Sequence, residues 1–130
     1  MIAKPKPGSK ASQCLYENFA WIRLIEFLNQ ENAYMKNRLS EVIDRIQDSE
    51  QLAMAEHFQN QFIIKDDVYD HMLHDLNKQS TKWHHLTAGN STISELKKNH
   101  RHIRHQMESI EREHALIMRD YNTYLSSLDY

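Results

Sequence analysis

The sequence predicts an all-α protein, with three long helices in an antiparallel, coiled-coil-like bundle running up, down and up. Three observations carry this. First, from Ile93 to Leu128 an apolar or histidine side chain recurs at alternating steps of three and four: Ile93, Leu96, His100, Ile103, Met107, Ile110, His114, Ile117, Tyr121, Tyr124, Leu128. A mean step of about 3.5 residues draws one narrow stripe along a helix, and that stripe needs another helix to cover it. Second, two earlier stretches carry seams of the same kind. Third, glycine and proline lie only at the edges of the three blocks: Pro5, Pro7 and Gly8 before the first, Gly89 between the second and third.

Residues 1–12 carry Lys4, Lys6 and Lys10 and have little to bury, so they read as a disordered basic tail. Residues 13–130 then form one domain, the natural count for this length. The first helix is expected over about 13–47, with the seam Trp21, Ile25, Leu28, Asn32, Met35, Leu39, Val42, Ile46. The second is expected over about 50–83, with Ala55, Phe58, Phe62, Lys65, Tyr69, Met72 and Leu76. The phase shifts between these two seams. A reversal at Asp48–Ser49 would bring both to one core, and both residues are good N-caps. No glycine marks that reversal, so a single bent helix also fits. The third helix is expected over about 92–128. It follows a turn-forming stretch, and Thr92 with Glu95 reads as a capping box. A narrow seam on each helix suits a bundle completed by self-association.

The first helix has a second apolar face. Tyr16, Phe19, Phe27 and Tyr34, with Arg23 among them, fall opposite its seam. Half-exposed aromatic residues are common on surfaces. Aromatic residues with an arginine are also what interfaces enrich, and a homodimer is the simplest use of such a face.

Polar residues interrupt the seams. A reversal at 48–49 sets Asn32 level with Lys65, and the second turn sets Lys65 level with Glu111. These three define a candidate buried polar layer that would penalise wrong registers. Equally, Lys65 could run its stem along the core and reach solvent. His100 and His114 lie on the third seam. They read as packed neutral imidazoles, or as pH sensors whose protonation would loosen the core.

His71 with His74, and His102 with His105, have helical spacing compatible with metal. Both pairs fall on outward faces, so no metal is assigned to them and no cofactor is expected. Glu111 and His114 form a lone Glu-x-x-His unit without the partner units a di-iron bundle needs. Nine histidines nonetheless keep a metal-binding or pH-responsive bundle as the alternative function.

Other chemistry is poorly supported. The net charge is −2, so no global field draws the chain to nucleic acid or an acidic membrane. The basic run Lys97–His105 lacks interleaved aromatic residues for base stacking. No apolar stretch approaches a membrane span. Cys14 is the only cysteine, with no base beside it in sequence. The expectation is a cytoplasmic, non-enzymatic helical module that binds a protein partner or a second copy of itself.

Overall fold

The computed structural model describes residues 8–85 and 90–128, with the side chains of 90–92 outside the description. It is an all-helical three-helix bundle, with no strand among the described residues. Helix α1 spans Lys10–Ile43, α2 Ser49–His84 and α3 Asn90–Ser127.

Helix α1 starts before the expected boundary. Gly8 adopts φ +79°, a left-handed conformation that disfavours residues with a Cβ. Ser9 then caps the helix, its hydroxyl accepting from the Ser12 amide at 3.1 Å. The expected disordered tail is therefore corrected at its inner end, where residues 8–12 are ordered by this cap. Residues 1–7 lie outside the described residues.

Helix α1 also ends early, at Ile43 instead of residue 47. Short bonds from the Arg45 and Ile46 amides to the Val42 and Ile43 carbonyls tighten its last turn. Asp48 then caps α2, accepting from the Gln51 amide at 2.9 Å. The first connection is thus a hairpin and not one bent helix. Helix α3 begins at Asn90, ahead of the expected Thr92 cap, whose side chain is not described.

The three seams line the interior. None of the described seam residues is exposed, and Ile25, Leu39, Ala55, Leu76 and Tyr121 are wholly buried. The core divides into three apolar clusters along the rod. Cys14, Leu15, Trp83 and Leu96 close one end. Ile25, Leu28, Tyr69, Met72, Leu76, Ile103, Met107 and Ile110 fill the middle. Leu39, Ala55, Phe58, Phe62, Tyr121 and Tyr124 fill the other end, where Phe62 meets Tyr121 edge-on at 5.2 Å.

Helices α1 and α2 approach closely along their length, whereas α3 packs more loosely on both. The seam between α2 and α3 consequently stays open as a groove, lined by Val68, Met72 and Ile110 and, further along, by Ile64, Leu116 and Ile117. No described helix is long and apolar enough to cross a membrane.

The location of the core gives a direct contrast. Leu76→Ala removes a fully buried side chain and is expected to cost about 2–5 kcal/mol. Leu116→Ala removes a side chain that is 49% exposed, and the change should stay within about 0.5 kcal/mol. Urea unfolding midpoints measured at constant slope would check both values.

Candidate functional site

The polar residues inside the bundle form two stations, two heptads apart. On α1 the dipeptide Glu17-Asn18 recurs as Glu31-Asn32, fourteen residues on, and on α3 His100 recurs as His114 with the same separation. Each asparagine faces α2 and each glutamate faces α3. A period of fourteen residues is nearly four helical turns, so both stations lie on the same faces of their helices.

On the α2 side the two asparagines make the same pair of bonds. Asn18 donates through Nδ2 to the Leu76 carbonyl at 2.8 Å and to the Ser80 hydroxyl. Asn32 donates to the Phe62 carbonyl at 2.7 Å and to the Asp66 carboxylate at 2.7 Å. The acceptors Leu76 and Phe62 are themselves two heptads apart, running the opposite way, as antiparallel helices require. Each second acceptor lies one turn further along α2. Asp66 also receives Lys36, so its charge is paired.

On the α3 side the stations differ. The second is satisfied. The Glu31 carboxylate lies 2.7 Å from Nε2 of His114, and the Tyr69 hydroxyl lies 3.2 Å from Nδ1. A carboxylate can only accept, so Nε2 carries the proton, and in the neutral ring Nδ1 then accepts from Tyr69.

The first station is not satisfied. His100 is 2% exposed, and neither ring nitrogen has a hydrogen-bond partner. The Glu17 carboxylate stands 3.7 Å from Nε2, too far for a hydrogen bond, while its other oxygen accepts from Arg104 at 2.7 Å. Trp21 lies tilted by 32° against the imidazole at 4.7 Å, and Trp83 meets it edge-on at 6.2 Å. Trp83 holds the position two heptads from Tyr69 and offers no hydroxyl. The Asn18 carbonyl oxygen and the Trp83 indole nitrogen are buried here without partners too. Each such group costs about 1–3 kcal/mol.

Cys14 completes this station. Its thiol, the Glu17 carboxylate and the His100 imidazole lie within 4.8 Å of one another. Burial pushes the thiol pKa up, opposed by Lys10. Burial opposes ionisation of Glu17, yet the Arg104 guanidinium, helped by His100, holds its carboxyl below the usual value. Burial holds the His100 imidazole below its ordinary 6.5; Glu17 pulls the other way, and Arg104 and Lys10 add to burial. The folded state therefore avoids a proton that the unfolded chain takes up, and this contribution to stability is lost as pH falls below 6.5.

The expected polar layer is corrected in two places. Asn32 is buried, but it bonds to Phe62 and Asp66 and not to Lys65. Lys65 pairs with Glu113, and Glu111 is exposed. The first error is one of helix face: Asn32 lies level with residues 62–66 of α2, as expected, but Asp66, about 100° around the helix from Lys65, is the side chain turned toward it. The second is angular. At about 100° per residue, Glu113 and Glu111 flank opposite sides of the α3 seam, and only Glu113 is on the α2 side. The nearest signal for the missed Asn18 was the α1 seam itself: continued upstream in steps of three and four, it passes through Asn18 and Cys14.

The remaining candidate residues lie outside. Tyr16, Phe27 and Tyr34 are 70%, 55% and 60% exposed, and Phe19 is partly covered by His84 at 5.9 Å. Arg23 is exposed among them. His71, His74, His102 and His105 are all exposed, with His71 capped back onto the Asp67 carbonyl and His105 beside Glu108. No protein-family model, curated protein or solved structure matches the chain.

Tyr69 supplies a pH test of the satisfied station. Burial, with Glu113, Glu31 and Asp66 facing it, pushes its phenol from 10.0 up to about 12. The neutral phenol is favoured by folding, so its contribution is full below pH 10 and is lost between 10 and 12. The decline over that interval should be on the order of 2 kcal/mol larger in the wild type than in Tyr69→Phe. Chemical denaturation of both proteins across the range would measure it.

Proposed function

We propose that this chain is a non-enzymatic, cytoplasmic protein–protein interaction or scaffold module, acting through the outer face of α1. One observation supports it most: Tyr16, Phe27 and Tyr34 stand on a single stripe turned away from the bundle, with Phe19 at its edge beside His84 of α2, each 39% exposed or more. At about 100° per residue, these four and Arg23 fall within an arc of about 80°. The core does not need them, because the α1 seam on the opposite side already fills it. Aromatic residues with an arginine supply large contact area at low entropic cost, as interfaces favour. The open α2–α3 groove adds a second apolar strip, and a second copy or a partner helix would cover either.

The chemistry also suits binding better than catalysis. The nucleophile candidate, Cys14, is 1% exposed within the first station. The open grooves lie along α2 and α3 and are shallow clefts between antiparallel rods.

The reading predicts that the wild-type chain, of 15.5 kDa, behaves as a homodimer in light scattering, or else captures a defined partner from its host. The Phe19→Ser, Phe27→Ser variant should keep its helical circular dichroism and lose that mass or that partner. Unchanged mass and unchanged capture in the variant would contradict it.

A further inference from the structure

We propose that Cys14, Glu17 and His100 form a structural zinc(II) site that ties the start of α1 to α3. Three donors of the right kind converge there: a thiol, a carboxylate oxygen and an imidazole nitrogen, all within 4.8 Å of one another. Cys14 and Glu17 are one turn apart on α1 and so share a face. His100 enters from α3.

The independent observation is the imidazole itself. It is 2% exposed, and both its nitrogens lack hydrogen-bond partners, although a carboxylate stands beside one of them. At 3.7 Å, that nitrogen and Oε1 of Glu17 are too distant to share a proton. Two ligands on one tetrahedral zinc, with bonds of about 2.0–2.2 Å, sit about 3.3–3.6 Å apart. The observed gap is close to that spacing. His114 provides the internal control, since the same residue two heptads on has both nitrogens engaged.

Charge supports a dication. Thiolate and carboxylate carry two negative charges, so the occupied site is neutral and suited to burial. The thiol proton leaves to the buffer as the sulfur–zinc bond forms. Burial raises the thiol pKa on balance, so the metal itself must draw the proton off, with Lys10 and Lys97 assisting; Arg104 holds the far oxygen of Glu17, which leaves Oε1 turned toward His100. A fourth position remains for a water.

Cobalt(II) tests the site in the full chain, purified without a metal column and stripped with chelator. Because Cys14 is the sole cysteine, a thiolate-to-cobalt charge-transfer band can arise from no other residue. The expected result is such a band at one cobalt per folded chain, displaced by zinc and absent in denaturant. His100→Gln and Glu17→Gln should weaken cobalt binding at least about 10-fold, with unchanged circular dichroism, whereas a His71→Ala, His102→Ala variant binds as the wild type does. Zinc should raise Tm in the wild type and not in Cys14→Ser. No charge-transfer band at saturating cobalt, or a band unaltered by both His100→Gln and Glu17→Gln, overturns the proposal.

Discussion

The bundle depends on the register between α1 and α2, and that register is held by two asparagines. A heptad seam alone specifies which faces meet but not how far one rod has slid along the other, because a slip of seven residues again matches apolar to apolar. Asn18 and Asn32 remove this freedom. Each buries its amide against α2 and needs a polar side chain one turn beyond its carbonyl acceptor. Ser80 and Asp66 supply it. A slip of one heptad either way sets Leu73 in one of those positions and leaves a buried amide without its second partner. The stability cost of burying two amides is thus exchanged for a single alignment.

Polar and apolar segments then alternate along the rod. An apolar end, the first station, the central core, the second station and a second apolar end follow in order. The stations share the Glu-Asn pair on α1 and the histidine on α3, yet differ in what α2 presents to the histidine and in Cys14 and Arg104, whose counterparts two heptads on are Leu28 and Met118. Tyr69 gives His114 a hydroxyl; Trp83, at the equivalent position, gives His100 only a ring edge. A few changes within a repeated pattern, Trp83 for Tyr69 and Arg104 drawing on Glu17, turn a closed hydrogen-bond network into an open set of groups, with Cys14 beside it. The same bundle thereby holds a finished structural layer and a layer that lacks a partner.

Much of the architecture was legible in the sequence because side-chain period fixes which face is buried. The three seams, the hairpin caps and the outward placement of the histidine pairs all follow from position along a helix. Boundaries were less legible. Ser9 extended α1 upstream, and the tightened last turn after Ile43 shortened it downstream. A difference of one residue was enough to misplace the polar layer, since Lys65 and Asp66 are adjacent in sequence and differ by about 100° on the helix. The stations were present as a repeated Glu-Asn dipeptide and two histidines at matching separation. Their joining across three helices required the relative height of α1 and α3, which no local pattern encodes. Cys14 illustrates the same limit: its neighbours in sequence offer no chemistry, while its neighbours in space do.

The most direct measurement of the central claim is the distance distribution between spin labels on exposed sites of α1 and α2, taken in the wild type and in the Asn18→Leu, Asn32→Leu double variant. A slip of one heptad moves such labels by about 10 Å along the axis. Asparagine-held register predicts one narrow distribution in the wild type and a broadened or split one in the variant, even if the variant melts at a higher temperature. The same narrow distribution in both proteins would show that the apolar seams alone set the alignment.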